Sequence, residues 1–169
     1  MKHLKNLLLT ATLIIAFSFN AQAQSKVAHI NTQELVESMP DMKSAKSELE
    51  KLAKTYETDI QAMATELQNK ITQYDAESST KTDEENGKRL QEVQSMEQSI
   101  RQYQAQAQQD LQKKELDLLR PITEKAKNAI LKVGNAQGFD YILDSSQGQG
   151  VIMANGKDLL ADVKAELGF

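Results

Sequence analysis

Helix-breaking residues are almost absent from the middle of this chain. Between Asp41 and Val133 the sequence has one glycine, Gly87, and one proline, Pro121, while the other six glycines follow residue 133. Apolar residues recur through this stretch at spacings of three and four, which is the period of an amphipathic helix. The sequence therefore predicts that most of the protein is long helix.

A polar run divides this helical stretch into two. An amphipathic helix needs a partner to cover its apolar stripe, and the run at residues 75–87 separates two stretches that can cover each other. Thr82 followed by Glu85 matches a capping box, which marks the start of a second helix. We therefore predict an antiparallel helical hairpin over residues 41–133, with its tip near residues 76–82.

The apolar stripe of the first helix has an eleven-residue repeat. Such a repeat stays close to the natural helical period and predicts a nearly straight helix pair. The second helix has a looser stripe, and Pro121 predicts a kink just before it. The stripe of the first helix comprises Leu49, Leu52, Tyr56, Ile60, Met63, Leu67, Ile71 and Tyr74.

The two ends of the chain have β-strand character. Residues 27–30, 139–143 and 151–153 are apolar and β-branched, and a turn-rich segment separates the last two. Gly138 is placed to end the second long helix, and Asp158 to begin a short terminal helix. The predicted fold is mainly α with a small β body, from residues 24–40 and 134–169. A coiled-coil arm projects from its short-stranded sheet.

The N-terminus is typical of an exported protein. Lys2 and Lys5 precede an apolar run, and Ala21-Gln22-Ala23 is a small-x-small cleavage site. We predict a signal peptide over residues 1–23, cleaved after Ala23, and a periplasmic location; the rival interpretation is an uncleaved anchor.

The mature sequence is acidic. Removing the two signal lysines from the 20 basic residues leaves 18 against 24 acidic ones, a net charge of −6. A nucleic-acid-binding protein usually has the opposite sign, so we predict no nucleic-acid partner. The same sign argues against peripheral contact with an anionic membrane.

Nothing in the sequence predicts catalysis or a cofactor. The mature chain has no cysteine and one histidine, His29, so zinc sites and thiol nucleophiles built on those residues are excluded. Gly148-Gln149-Gly150 lacks the lysine and helix start of a phosphate-binding loop. Asp140 and Asp144 resemble a carboxylate pair, yet they flank an apolar run beside a turn, where aspartate is common. We predict no catalytic, metal or cofactor site.

Several segments, in order and spacing, resemble the Skp/OmpH family of periplasmic chaperones. They are the opening strand and short helix at residues 27–40, the long hairpin, Leu119-Arg120-Pro121-Ile122, and residues 138–144 and 158–163. The resemblance covers essentially the whole mature chain. It implies a homotrimer with a β-sheet body and three helical arms, a "jellyfish" architecture. In the cavity between the arms the family holds unfolded outer-membrane proteins without ATP.

Two sets of residues follow as candidates. Contacts within the trimer body are predicted for Val27, Ile30, Ile142 and Ile152. Contacts of the arms with an unfolded client are predicted for Met63, Leu67, Ile71, Tyr74, Val93, Met96, Ile100 and Tyr103. The alternative function is a periplasmic coiled-coil spacer or adaptor that binds one specific folded partner, since both functions need long amphipathic arms.

Overall fold

The computed structural model describes residues 25–169, so the predicted signal peptide lies outside the described residues. The described part is mainly α-helical with a small sheet, as the sequence predicts. Its elements are, in order, β1 (Val27–Ile30), α1 (Thr32–Ser38), α2 (Pro40–Glu77), a 3₁₀ turn (Ser78–Thr80), α3 (Asp83–Gln137), β2 (Tyr141–Asp144), β3 (Lys157–Asp158) and α4 (Leu160–Leu167).

The described residues form two compact units. The sheet unit contains residues 25–32 and 129–168, and the hairpin unit contains residues 33–128. The sequence places these divisions at residues 40 and 133 instead. Helix α3 contributes its first part to the hairpin unit and its last turns to the sheet unit.

The hairpin unit consists of α1, α2 and the greater part of α3. Pro40 lies in the first turn of α2, where its missing N–H costs nothing. The capping box at the start of α3 is confirmed: the Glu85 N–H donates to the Thr82 hydroxyl, and the Glu85 carboxylate accepts from the Thr82 N–H at 3.1 Å. The Asn86 side chain also donates to the Ser78 carbonyl at 3.0 Å, which ties the turn to the second helix.

Helix α3 continues through Pro121 and ends where the sequence predicts. The Thr123 hydroxyl donates to the carbonyls of Leu119 and Arg120 beside the proline. At the end, Gly138 adopts a φ of 69°, which only glycine accepts readily, and the Phe139 N–H donates to the Gly134 carbonyl. The predicted glycine C-cap is confirmed.

The sheet has three parallel strands in the order β2-β1-β3. The strand predicted at residues 151–153 is wrong, because those residues form no ladder and Ile152 is fully exposed. Residues 157 and 158 pair with β1 instead. The apolar, β-branched composition of residues 151–153 therefore led the sequence prediction to place the third strand in the wrong segment.

One face of the sheet lies in the core of its unit. Ala28 and Ile30 of β1 are buried, and Ala28 is in register with Ile142 of β2. Ile142 packs against Gly134 of α3 so closely that a Cβ at Gly134 would lie 2.3 Å from the Ile142 Cδ1. The other buried apolar residues of the unit are Ala129, Val133, Leu159 and Val163. The prediction of Asp158 as the N-cap of the terminal helix is wrong, because Asp158 lies in β3 and Leu159 is the N-cap of α4. The Asp158 carboxylate nevertheless accepts from the Leu160 N–H at 2.9 Å.

Candidate functional site

The candidate site is the seam between α2 and α3 in the hairpin unit. Every residue of the predicted α2 stripe is partly buried there, while its neighbours on the outer face of the helix are exposed. Only small side chains along the seam are fully covered before Ile122, namely Ala45 and Ala107. The stripe therefore serves first to join the two helices, and apolar surface remains partly open along the joint.

Two tyrosines, Tyr56 and Tyr103, join the two helices at the middle of the seam, and we call this pair the tyrosine lock. The rings of Tyr56 and Tyr103 meet edge to face, with centroids 5.7 Å apart. Each hydroxyl donates to a carboxylate of the opposite helix: Tyr56 to Asp110 at 2.9 Å and Tyr103 to Asp59 at 2.8 Å. These hydrogen bonds raise the pKa of both tyrosines, because losing the phenolic proton would place two negative charges side by side.

A third tyrosine organises the tip. The Arg89 guanidinium lies over the Tyr74 ring at 4.5 Å from its centroid and pairs with Glu77 across the turn. Glu92 of α3 accepts from Lys70 at 2.7 Å and from the Tyr74 hydroxyl. These two hydrogen bonds lower the pKa of Glu92. The tip is thus held by charged groups that cross from one helix to the other.

Three apolar grooves open along the seam, and we name each by a residue at its floor. The Ile60 groove has a volume of about 730 Å³, the Met96 groove about 380 Å³ and the Ile71 groove about 350 Å³. Each is lined by both helices. Apolar side chains at the floors include Ala53, Ile60, Ala64, Ala107 and Leu111 in the first, Met63, Met96 and Ile100 in the second, and Ile71, Leu90 and Val93 in the third.

The grooves bring together most of the residues predicted to contact a client. Met63, Met96 and Ile100 line one groove, and Ile71, Tyr74 and Val93 line another. Leu67 is partly buried in the seam, and Tyr103 belongs to the tyrosine lock. The sequence prediction omitted the alanines of the Ile60 groove and Leu90, which is 59% exposed. The sequence signal that could have identified this groove is the series of alanines that recur at helical spacing beside the apolar stripe.

The residues predicted for the trimer body divide between the two faces of the sheet. Ile30 and Ile142 belong to the covered face, whereas Val27 lies on the open face and Ile152 in the exposed loop. Strand register places Val27 opposite Tyr141, and both are exposed, at 44% and 60%. Leu143, two residues along β2, is also exposed. The open face therefore exposes Tyr141 and Leu143, which the sequence prediction omitted, and it also carries His29 and Asp158 in register with Leu143.

Asp144 has a structural role in the sheet unit. Its oxygens accept from the N–H and hydroxyl of Thr32 and from the N–H and hydroxyl of Ser146. Burial alone would raise its pKa, but these hydrogen bonds outweigh burial and lower it. Asp140 accepts from the Lys26 N–H at 2.8 Å. Both aspartates therefore hold the ends of β2 to the residues that flank β1, Lys26 and Thr32.

Residues 25–169 contain no group of side chains arranged to bind a metal ion. Within the same residues, none of the helices combines the length and apolar character needed to cross a bilayer.

Sequence comparison covers nearly the whole described chain. The family model for outer membrane protein (OmpH-like) matches residues 26–167. The chain belongs to the OmpH-like family. Among its curated relatives is the chaperone protein Skp of Photorhabdus luminescens, 27% identical over 95% of this chain and 97% of the relative. Skp of Pectobacterium atrosepticum is 25% identical over 89% of this chain and 90% of the relative.

The fold also matches a solved structure. The crystal structure of an OmpH-like protein from Caulobacter crescentus superposes with a TM-score of 0.78. It covers 87% of this chain and 86% of its own, at 20% identity. The long helices and small sheet of this chain are therefore the fold of that protein.

Proposed function

We propose that this OmpH-like protein is an ATP-independent periplasmic chaperone that holds unfolded outer-membrane proteins and prevents their aggregation. Strands of outer-membrane barrels alternate apolar and polar residues, and they aggregate when they are exposed to water. A protein that covers such segments reversibly keeps them competent to fold. The relatives named as Skp chaperones support this assignment at the level of the family.

The observation that carries the proposal is the series of open apolar grooves along the hairpin seam. A folded-partner adaptor needs one defined surface, whereas three shallow grooves along one hairpin suit many weak contacts with an extended chain. The floors are flexible methionine, leucine and isoleucine side chains, and methionine adapts well to varied partners. No energy source is required if clients leave by inserting into the membrane.

The proposal includes a homotrimer that assembles through the sheet unit. The open sheet face presents Val27, Tyr141 and Leu143 to solvent, which is a costly arrangement for an isolated chain. Strands β2 and β3 also lie at the edges of a short sheet, where unpaired backbone groups favour pairing with another chain. We assign the arms and the cavity between them to the hairpin units of three subunits.

Breadth of client binding tests the function. Several unrelated barrel proteins, unfolded in urea, are diluted into buffer with the mature protein and no nucleotide, and aggregation is followed by light scattering. We expect suppression of aggregation for most of them at near-stoichiometric chaperone. Protection of none, together with tight binding to a single folded periplasmic protein, would instead establish the adaptor.

A further inference from the structure

The net charge of the mature protein resides in one part of the hairpin. Residues 56–112, the distal arm, contain eleven acidic and five basic side chains, whereas residues 25–55 and 113–169 together contain thirteen of each. The distal arm therefore carries the whole surplus of −6. All three grooves lie in this arm or at its border.

Ion pairing within the arm leaves this surplus exposed. Four of the five distal bases are already engaged by distal acids, in the pairs Lys70–Glu92, Lys88–Glu84, Arg89–Glu77 and Arg101–Glu97. Among the distal acids, Glu66, Asp75 and Asp83 are paired with no base within residues 25–169. A binding partner that brings positive charge therefore meets unneutralised carboxylates.

Two of the unpaired acids, Glu66 and Asp75, stand at the rims of apolar grooves. Glu66 lines the Met96 groove together with Glu92, and Asp75 lines the Ile71 groove. Glu57 lines the Ile60 groove but is paired with Lys54 at 2.8 Å. Arg89 is the one base that lines any of the three, and it is occupied by Glu77 and the Tyr74 ring. The Met96 and Ile71 grooves thus each combine an apolar floor with an unpaired carboxylate at the rim.

We propose that the grooves of the distal arm select unfolded segments in which apolar residues alternate with basic ones. An apolar side chain enters the groove while the neighbouring lysine or arginine pairs with the rim carboxylate, so charge complementarity identifies the occupant. The inference rests on the proposed holding function and names the class of client segment that this protein prefers. Segments that alternate apolar and acidic residues are disfavoured by the same rim.

The spacing of the grooves suits one extended segment. Ile60 and Ile71 lie in different grooves and are eleven residues apart, three turns of helix, so they project from the same side of α2. This separation is about 17 Å along the helix axis. A membrane strand of about 9–11 residues spans roughly 30 Å when extended, which is enough to reach both grooves.

Three fluorescent peptides test the selectivity. Each has about eleven residues, the length of a membrane strand, and alternates leucine with lysine, with serine or with glutamate. Anisotropy titrations of the mature protein at low salt should give the tightest binding for the lysine peptide and the weakest for the glutamate peptide. The preference should shrink at physiological salt, where charges are screened over about 8 Å. Equal affinities, tighter binding of the glutamate peptide or no binding of any peptide would overturn the inference.

Two double variants separate the rim acids from net charge. Glu66→Gln with Asp75→Asn neutralises two rim carboxylates, and Asp117→Asn with Glu124→Gln removes the same charge from exposed acids outside the grooves. We expect the first variant to bind the lysine peptide about threefold to tenfold more weakly, as for two exposed ion pairs. The second variant should bind it nearly as the wild type does. Equal weakening in both variants would contradict a role for the rims.

The holding function is scored separately in the same preparations. If the wild type protects urea-diluted barrel proteins from aggregation but shows no preference among the peptides, only the proposed selectivity is overturned. If the wild type does not protect barrel proteins from aggregation, the proposed holding function itself is overturned.

Discussion

The hydrogen bonds of Asp144 make a quantitative prediction about the sheet unit. The carboxylate accepts four of them, including one of 2.6 Å from the Thr32 hydroxyl and one of 2.9 Å from the Ser146 N–H. Hydrogen bonds to a charged group contribute about 1.5–3 kcal/mol each when buried, but they are not additive and this site is partly open to water. We expect Asp144→Ala to destabilise the unit by about 2–3 kcal/mol and Asp144→Asn by about 1 kcal/mol.

Hydrogen–deuterium exchange measures this loss where it occurs. In peptides covering residues 25–32 and 139–146, Asp144→Ala should lower amide protection by roughly 30-fold to 150-fold, the equivalent of about 2–3 kcal/mol. Peptides from residues 60–75 of the hairpin unit provide an internal control and should exchange as in the wild type. Unchanged protection around β1 and β2 would refute the argument that Asp144 holds these strands together.

The same residue predicts a dependence on pH. Because the folded pKa of Asp144 lies below its ordinary value of 3.8, the stabilisation is fully present at neutral pH and is lost as pH falls through the folded pKa. The difference between wild type and Asp144→Asn should therefore persist down to about pH 5 and disappear in stronger acid. A difference that grows on acidification would contradict the assigned charge state.

Two further substitutions test the tyrosine lock and the open sheet face. Tyr103→Phe removes the hydrogen bond to Asp59 and should lower the midpoint of unfolding in urea titrations. The double variant with Asp59→Ala is the control and should lose little more than Tyr103→Phe alone, because the two residues share one hydrogen bond; additive losses would argue against the lock. Tyr141→Asp should dissociate the proposed trimer while leaving the subunit folded, as judged by light scattering and circular dichroism. Ile142→Asp should instead unfold the sheet unit because Ile142 faces Gly134. An unchanged oligomer in Tyr141→Asp would place the interface elsewhere.

The sequence predicted the long elements well because their signals are local. The scarcity of glycine and proline, the helical period and the capping box at Thr82 depend only on neighbours along the chain, and the structure confirms the helices that they predict. The end of α3 at Gly138 was predictable for the same local reason, because glycine adopts a φ of 69° more readily than other residues do.

Features that depend on tertiary contacts were less predictable. The spacing of Glu66 and Lys70 fits an ion pair within one helix, yet Lys70 pairs with Glu92 across the seam. Residues 151–153 have strand composition, but the edge of β1 is taken by residues 157 and 158. Ile142 was assigned to a subunit interface because it is apolar; only the register with Ala28 shows that it faces the core.

The grooves were partly predictable. The stripe residues at their floors follow from periodicity, and six of the eight predicted client contacts line a groove. The sequence shows that this part of the hairpin is rich in acidic residues, but it does not show which of them are unpaired. That depends on ion pairs between the two helices.

Removal of one eleven-residue repeat from each helix tests most directly whether the hairpin holds the client. Deleting residues 61–71 and 93–103 keeps the helical phase of α2 and the pairing of the two helices, since equal lengths are lost from both. It shortens the hairpin by about 17 Å and removes much of the floor of the Met96 groove. We predict a folded protein with the oligomeric state of the wild type that no longer keeps urea-diluted barrel proteins soluble in light-scattering assays. Full protection by this shortened protein would contradict the account and place client binding outside the hairpin seam.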